Sequence, residues 1–253
     1  MKDPTQRFSD RVDHYIGTRP HYPRALVEVL RKECTLAPAA VIADLGCGTG
    51  FLAELFVENG NPVFGVEPNE NMRRAAERLF EGKPNFRSVE GTAEATTLHG
   101  ASTDFVTAGQ AFHWFDRGRS RTEMARILKP GGWVVLVWND RKKGASRFLE
   151  AYEEFLLAFG TDYREVDHRK ITRDDLAAFY GAAGFRKWSA DQEQRLDREG
   201  LRGRVLSSSF MPGEDDPAAG PMLAALGGLF DRYQTGGRVT FVYETRMYFG
   251  HLT

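Results

Sequence analysis

The sequence predicts an α/β protein built on a doubly wound, mostly parallel β-sheet with an antiparallel pair of strands at its C-terminal edge. Three observations predict this class. Short apolar runs alternate with helix-like segments through the first 140 residues, one of these runs leads into a glycine-rich turn, and the last apolar segment alternates with a period of two. Strands and helices that alternate at this spacing are typical of parallel sheets with helices on both faces.

The first half of the chain reads as alternating strands and helices. Pro23 favours the start of a helix, Gly60 ends another, and Asn69 is a suitable N-cap because its side-chain oxygen can accept a hydrogen bond from the first helical turn. In chain order the predicted elements are helix 24–32, strand 41–45, helix 51–59, strand 62–67, helix 69–80, strand 86–89, strand 104–107 and helix 120–128.

The second half begins with residues 133–138, which are apolar at every position, as a strand covered on both faces should be. Helices are then predicted over 147–159, 173–183 and 221–233, with a loop at 212–217. Residues 239–249 alternate with a period of two, which predicts an antiparallel strand near the sheet edge, and 185–196 are its expected partner.

Composition excludes several function classes. The 34 basic and 35 acidic residues give a formal net charge of -1, which argues against a nucleic-acid partner. The apolar run 133–138 is far shorter than the roughly 20 residues of a membrane span, and the N-terminus lacks the apolar core of a secretory signal. Cys34 and Cys47 are interpreted as free thiols, and the histidines lack metal-ligand spacing. We therefore expect a cytoplasmic protein without metal, membrane or nucleic-acid partners.

A glycine-rich turn, Asp44-Leu45-Gly46-Cys47-Gly48-Thr49-Gly50, follows the first strand and opens a helix. Glycines allow a tight turn and close approach of a ligand, and exposed N–H groups at a helix N-terminus attract an anionic group. Glu67 ends the next strand, where a carboxylate can accept hydrogen bonds from ribose hydroxyls. The turn and Glu67 together predict a site for an adenosyl-type ligand.

The spacing of the glycines bears on which nucleotide binds. A dinucleotide fingerprint GxGxxG would place its third glycine at position 51, which is Phe51, whereas this turn has the spacing GxGxG with Asp44 ahead of it. A nicotinamide-dependent oxidoreductase is therefore an alternative that lacks one expected glycine.

Four segments, in family order, resemble the class I S-adenosylmethionine-dependent methyltransferases. They are Asp44 to Gly50, Glu67-Pro68-Asn69, Gly91-Thr92-Ala93-Glu94-Ala95 and Leu128-Lys129-Pro130-Gly131-Gly132. Residues 15–23 and 110–115 more narrowly resemble the methyltransferase type 11 group, which includes enzymes similar to trans-aconitate methyltransferase. The resemblance implies a seven-stranded Rossmann-like methyltransferase fold. It also implies a single domain over 1–253, with an N-terminal lid at 1–35, a cofactor-binding core at 36–140 and substrate-side insertions with the C-terminal hairpin at 141–253.

The same resemblance implies that S-adenosyl-L-methionine binds at the turn and leaves as S-adenosyl-L-homocysteine. Asp44 and the turn backbone would hold the methionine part, and Glu67 would bind the ribose. Tyr15 and Arg19 would belong to a lid over the cofactor, with a surface helix cap as the alternative, and Arg19 could pair with a carboxylate of cofactor or substrate. The full implied cofactor-binding set is Asp44, Gly46, Cys47, Gly48, Gly50, Glu67, Pro68, Asn69, Met72, Ala93, Glu94, Gln110, Tyr15 and Arg19.

His113 and Trp114 are the candidate catalytic residues, because they follow the fourth strand in a run of aromatic residues. His113 could serve as a general base or only orient the substrate, and Trp114 could shield the methyl group. The expected reaction is in-line methyl transfer to an oxygen of a small-molecule acceptor, where a carboxylate or phenolate needs no base and a neutral hydroxyl does. The alternatives are the oxidoreductase and a cofactor-binding protein without catalytic activity.

Three further points stay open at this stage. The oligomeric state is either monomer or homodimer. The resemblance places residues 207–209 by the substrate pocket, whereas the residues themselves favour a solvated turn. The mixed-charge run 164–175 is interpreted as a solvated face.

Overall fold

The computed structural model describes residues 17–163 and 171–253, and within them a seven-stranded sheet has the order β3-β2-β1-β4-β5-β7-β6. The strands are β1 (Ile42–Leu45), β2 (Val63–Val66), β3 (Phe86–Val89), β4 (Thr103–Gly109), β5 (Leu128–Arg141), β6 (Arg186–Leu196) and β7 (Val239–Gly250). The helices are α1 (Ala25–Cys34), α2 (Phe51–Glu58), α3 (Glu70–Leu79), α4 (Arg117–Ile127), α5 (Arg147–Phe159), α6 (Arg173–Tyr180), α7 (Arg198–Leu206) and α8 (Ala219–Tyr233).

Strands β1 to β5 pair in parallel, whereas β7 runs antiparallel to both β5 and β6. This confirms the predicted doubly wound, mostly parallel sheet with an antiparallel C-terminal hairpin. Strand β7 lies between β5 and β6, so β6 is the edge strand. The parallel order also brings the carboxyl ends of β1, β2, β4 and β5 to one edge of the sheet.

Alternate residues of β5 pack into two separate hydrophobic cores, one on each face of the sheet. Val135 and Val137 belong to the cluster under α1 and α2, whereas Val134 and Leu136 belong to the cluster under α4 and α6. Successive side chains of a strand point to opposite faces, so a strand covered on both faces must be apolar throughout. Burial of each such side chain contributes about 1.5–3 kcal/mol, which explains why 133–138 contains no polar residue.

A third core lies beyond the end of the parallel sheet. Val239, Phe241 and Tyr243, which alternate along β7, are buried against α5, α7 and α8. The period of two along this strand therefore reflects one face packed on helices, as the sequence predicted. This cluster holds α7 and its following turn over the end of β5.

The structure corrects three local predictions. The helix predicted over 173–183 ends at Tyr180, because Gly181 takes a φ of +80° that breaks the helix. The sequence reading missed α7, although Asp197 caps it by accepting from the Gly200 N–H. The solvated turn at 207–209 is also wrong, since Ser207 and Ser208 are buried.

The structure also bears on the predicted helix cap, the cysteines and the absence of a membrane span. Asn69 is the N-cap of α3 and accepts a hydrogen bond from the Met72 N–H at 3.1 Å, as predicted. Cys34 and Cys47 are free and buried. No helix in the described ranges is long and apolar enough to cross a membrane. Tyr15 and residues 164–170 of the mixed-charge run lie outside the described residues, and the division into one domain stays a prediction.

Candidate functional site

A cavity of about 300 Å³ lies at the carboxyl ends of β1, β2, β4 and β5, where parallel α/β sheets place their ligand sites. It brings together nearly all the residues that the sequence analysis selected. Its lining includes Arg19, Asp44, Gly46, Cys47, Gly48, Glu67, Pro68, Asn69, Met72, Ala93, Glu94, Gln110, His113 and Trp114. Gly50 is not part of the lining, and Tyr15 is outside the described residues.

The three glycines of the turn all have positive φ values, but they serve different purposes. A Cβ on Gly46 would lie 2.7 Å from Ala111 Cβ, and one on Gly50 would lie 2.6 Å from the Phe80 ring, so these two glycines allow close packing within the protein. At Gly48, whose φ is +57°, a Cβ would meet nothing within 4 Å. Gly48 is therefore the glycine that leaves room for a ligand against the backbone.

Four N–H groups of this turn, those of Gly46, Cys47, Gly48 and Gly50, are engaged within the protein, which differs from the expectation of exposed donors. Those of Gly46 and Cys47 donate to Val66 O, and that of Gly50 donates to Cys47 O. The Gly48 N–H donates to Glu67 Oε2 at 3.0 Å. The turn is thus a pre-organised wall with open space at Gly48.

Glu67 joins the turn to the end of β2. Its second oxygen, Oε1, accepts from the Asn69 N–H at 3.0 Å, so one carboxylate holds both loops. Burial raises the pKa of Glu67, and the two N–H donors partly oppose this rise. Arg73, which the sequence analysis did not select, donates from Nη1 to the carbonyls of Glu67 and Pro68 at 3.0 and 2.7 Å and fixes the same loop.

Asp44 lies at the end of β1 and is almost fully buried. Its Oδ1 accepts a hydrogen bond of 2.6 Å from Thr107 Oγ1 on the adjacent strand β4. Burial raises the pKa of Asp44 to about 7, although the Thr107 hydrogen bond acts in the opposite direction. A positively charged ligand group nearby would favour the ionised carboxylate, so the site is suited to an ammonium or sulfonium group.

The segment after β4 forms another wall of the cavity. Gln110 has a φ of +52°, and residues 112–114 form a 3₁₀ turn that places His113 and Trp114 on the lining, with their ring centroids 4.7 Å apart. Phe112 is fully buried in the core, as expected for this aromatic run. Glu94 Oε1 accepts from the Asp116 N–H at 2.9 Å, which ties the 93–94 loop to this segment.

Apart from Ser209, which the family resemblance placed by the substrate pocket, the sequence analysis missed the far end of the cavity. Its lining there comes from β5, β7, α7 and the segments around them: Asn139, Asp140, Arg141, Tyr163, Arg204, Ser209, Phe210 and Tyr243. Residues 139–141 follow directly on the apolar run 133–138, so a switch from apolar to polar residues at a strand end was the signal that could have found them. The other residues carry no local signal, because only long-range packing of the C-terminal elements brings them here.

Two buried polar atoms test whether S-adenosylmethionine fits this cavity. Thr49 Oγ1 and Gln110 Oε1 have no hydrogen-bond partner in the described part of the chain, although both residues line the cavity. Buried polar atoms without a partner are costly, and a ligand with an amino-acid and a ribose group could satisfy them. Together with the open space at Gly48, these atoms fit the cofactor. Among residues 17–163 and 171–253 there is no group of three or more His, Cys, Asp or Glu side chains that could hold a metal.

Comparison with known proteins shows what this chain is similar to. Residues 43–136 match the family model of the methyltransferase domain of the type 11 group. The uncharacterized methyltransferase Rv3342 of Mycobacterium tuberculosis is 38% identical over 142 residues, which are 55% of this chain and 55% of the relative. The ubiquinone/menaquinone biosynthesis C-methyltransferase UbiE of Campylobacter jejuni is 30% identical over 125 residues, 46% of this chain and 51% of the relative. The chain thus spans about half the length of the curated relatives it matches.

A solved structure extends the similarity beyond this region. A structure from Anaeromyxobacter dehalogenans that carries the name of a type II methyltransferase covers 92% of this chain and 97% of its own length, with 25% identity and a TM-score of 0.68. Its overlap includes the C-terminal third, where the sequence motifs end. Together with the seven-stranded sheet and the glycine turn, these similarities show that residues 43–136 resemble a methyltransferase domain.

Proposed function

We propose that this protein transfers the methyl group of S-adenosyl-L-methionine to an oxygen, a carboxylate or a hydroxyl, of a small molecule. The observation that carries the proposal is the single cavity in which Glu67, the open backbone at Gly48 and the buried Asp44 stand together at adjacent strand ends. Its volume of about 300 Å³ suits small ligands. The relatives described above carry methyltransferase names, so the oxidoreductase and the binding-only alternatives are not favoured.

In this proposal the residues near β1 and β2 hold the cofactor. Asp44 binds the positively charged part of its methionine group, and Glu67 accepts hydrogen bonds from the ribose hydroxyls. Gln110 Oε1 accepts a hydrogen bond from another donor group of the cofactor. The implied residues Pro68, Asn69, Met72, Ala93 and Glu94 surround the adenosine, with Gly46, Cys47 and Gly50 shaping the turn. When bound, the cofactor supplies an activated methyl group on a sulfonium.

The residues after β4 act on the acceptor. Trp114 and the aromatic run around it exclude water, which strengthens the electrostatic interactions within the cavity and prevents side reactions. His113 orients the acceptor hydroxyl and, for a neutral hydroxyl, accepts its proton. Alignment of the acceptor oxygen with the methyl carbon is the main contribution of the protein, because orientation alone accounts for a large part of the barrier in such transfers.

The remaining expectations are part of the same proposal. The chain acts as one domain in the cytoplasm, as a monomer or homodimer, with residues 1–35, including Tyr15 and Arg19, forming a lid. The narrower resemblance to trans-aconitate methyltransferases fits a carboxylate as acceptor. The similarity to a C-methyltransferase makes carbon the competing target atom.

Radiolabelled methyl transfer to pools of small molecules, followed by mass identification of the product, tests this function. We expect label in a methyl ester or ether. Label in a carbon-bound methyl group would overturn the oxygen assignment. In parallel, thermal-shift titration with S-adenosyl-L-homocysteine and with NAD compares the two ligands, and stabilisation by NAD alone would overturn the methyltransferase proposal.

A further inference from the structure

One wall of the cavity is a short segment before α1, residues 18–22, which we call the strap. Three of its residues, Arg19, Pro20 and Tyr22, line the cavity. The last three residues of the strap belong to no helix or strand. Proline fixes φ at about −65° and also restricts the residue before it. Because Pro20 lies within the strap and Pro23 follows it, we expect this short piece of backbone to move as one unit.

Backbone carbonyls of the strap accept hydrogen bonds from glutamine side chains of the edge strand β6. Gln194 Nε2 donates to Thr18 O at 3.0 Å, and Gln192 Nε2 donates to His21 O at 3.1 Å. The two glutamines occupy alternate positions of β6, so they share one face of the strand, and both are half-buried. Glu193, between them, points to the opposite face and is exposed. The strap is thus tied to β6 by side chains that lie far from it in sequence.

A third amide, that of Asn139 near the end of β5, holds the middle of the strap. Asn139 Nδ2 donates to Pro20 O and to His21 O, each at 3.3 Å. Its Oδ1 accepts from Gln192 Nε2 at 2.9 Å and from Thr245 Oγ1 at 2.6 Å. Asn139 is buried, and hydrogen bonds at both ends of its amide fix the orientation in which the NH₂ group faces the strap.

The opposite wall of the cavity is held in a different way. In the glycine turn, backbone donates to backbone, as from the Gly46 N–H to Val66 O. The carbonyls of Thr18, Pro20 and His21 instead accept from side chains, and ordering such side chains costs conformational entropy. Regions that depend on hydrogen bonds near solvent open at a lower free energy than the core of a sheet. The strap is therefore better suited to open than the glycine turn.

Asn139 also connects the strap to a residue that faces the ligand space. Its backbone carbonyl accepts from Gln110 Nε2 at 3.4 Å. The other end of that amide, Gln110 Oε1, is buried at the cavity and has no hydrogen-bond partner in the described part of the chain. The residue that holds the strap thus contacts a residue whose free acceptor is available to a ligand.

We propose that Asn139, Gln192 and Gln194 are positioning residues that hold the strap closed against the cavity, and that opening of the strap controls how fast the cofactor is released. This inference rests on the proposed function, which places the cofactor in this cavity and residues 1–35 in a lid. It adds the side chains on β5 and β6 that keep the strap in place. Loss of one donor shifts the strap towards its open state, so ligand leaves faster although no group in contact with it has changed.

The test uses variants that remove one donor at a time. Gln192→Met and Gln194→Met keep the length of the side chain but lose its N–H groups, and Glu193→Met is the same change on the opposite face of β6. Alkylation of Cys47 by N-ethylmaleimide, followed by mass spectrometry, measures access to the cavity, because Cys47 lines it. Cys34 is buried and is not part of the lining, so its alkylation in the same sample reports general unfolding.

A second measurement follows the release of radiolabelled S-adenosyl-L-homocysteine after dilution into an excess of the unlabelled compound. In Gln192→Met and in Gln194→Met, both Cys47 alkylation and release should become about two- to tenfold faster, which is the effect of losing one neutral hydrogen bond. The alkylation of Cys34 should not change. Glu193→Met should behave as the wild type does in every measurement.

The outcomes separate this inference from the proposed function. If Cys34 and Cys47 react faster together, or if Glu193→Met matches the glutamine variants, these side chains only stabilise the fold and the inference is wrong. Faster alkylation of Cys47 with unchanged release would overturn control by the strap. If S-adenosyl-L-homocysteine does not bind the wild type, the proposed function fails, and the alkylation of Cys47 relative to Cys34 alone decides whether the glutamines hold the strap.

A second variant covers the case in which Gln194→Met does not fold by circular dichroism. Gln194→Glu also lacks the N–H donor to Thr18 O, but it keeps an acceptor for the Tyr243 hydroxyl, which donates to Gln194 Oε1 at 3.4 Å. We expect the same selective increase in Cys47 alkylation and in release. Wild-type rates in Gln194→Glu would show that this donor does not hold the strap.

Discussion

The Glu67 carboxylate accepts a hydrogen bond of 3.0 Å from the Gly48 N–H, across two strands that are neighbours only in the folded sheet. One side chain thereby connects the acidic end of β2 to the glycine turn after β1. Because the same carboxylate also accepts from the Asn69 N–H, it is held in place before any ligand arrives. In the proposed function this pre-ordering presents Glu67 to the ribose at little entropic cost.

The first prediction concerns Glu67. Glu67→Ala removes the proposed ribose acceptor and the support of the turn, so affinity for S-adenosyl-L-homocysteine should fall about 10- to 100-fold, as expected for hydrogen bonds to a charged group. Isothermal titration calorimetry measures it. Glu70→Ala, at an exposed glutamate three residues further on, is the control and should bind as the wild type does. Equal affinities in the two variants would show that Glu67 does not contact the cofactor.

The second prediction separates the backbone conformation of Gly48 from its role in leaving space. Gly48→Ala and Gly82→Ala both place a side chain at a positive φ with nothing within 4 Å, so each should lose about 1–2 kcal/mol of unfolding free energy. Only Gly48→Ala should also weaken S-adenosyl-L-homocysteine, and Gly48→Val should abolish its binding. Chemical denaturation measures the free energy of unfolding, and calorimetry on the same samples measures the affinity for S-adenosyl-L-homocysteine. Normal cofactor affinity in Gly48→Val would remove Gly48 from the site.

The third prediction follows from the raised pKa of Asp44. Its folded-state pKa of about 7 lies above the ordinary value of 3.8, so the folded protein binds more protons than the unfolded chain between these values. The stability that this group contributes is therefore present below about pH 4 and is lost as the pH rises to about 7. Asp44→Asn should flatten this part of the pH dependence, measured by denaturation between pH 4 and 8. If the slope of stability against pH persists in Asp44→Asn, another titratable group causes it.

The pH dependence of ligand binding provides a second test of the ionisation of Asp44. Because the positively charged cofactor favours ionised Asp44, S-adenosyl-L-methionine affinity should rise as the pH increases through about 7. S-adenosyl-L-homocysteine lacks the sulfonium charge, which makes it the natural comparison. Asp44→Asn should weaken both ligands and remove the pH dependence.

The fourth prediction concerns His113. With a neutral hydroxyl acceptor, His113→Gln should lower kcat by about 10²-fold, the lower end of general-base effects, with S-adenosyl-L-homocysteine affinity unchanged. With a carboxylate acceptor, which needs no base, kcat should change little. Steady-state kinetics with both acceptor types, together with calorimetry, make the distinction. A loss of cofactor affinity in this variant would place His113 in the cofactor site rather than beside the acceptor.

Much of the fold could be predicted because its signals are local. The uninterrupted apolar residues of 133–138, the period of two in 239–249 and the N-cap at Asn69 each depend on contacts within one element or on one buried face, and the structure confirms all three. The sequence analysis missed helix α7 because two of its nine residues, Gly200 and Gly203, disfavour a helix and obscure the signal of the residues around them. It is stabilised instead by packing on α8 and β6.

The candidate site divides in the same way. The sequence by itself determined the end of the cavity at β1, β2 and β4, since a glycine turn, an acidic strand end and an aromatic run are contiguous motifs that keep their meaning without the fold. Only the tertiary structure decided the other end, where Arg141 and Arg204 both line the cavity. Their placement depends on β7 lying between β5 and β6 and on α7 packing beside β6, and no pattern within either segment reports that residues 63 positions apart line one cavity. The end of the cavity at the glycine turn thus follows from local sequence, whereas the end at β5 and β7 arises from long-range packing.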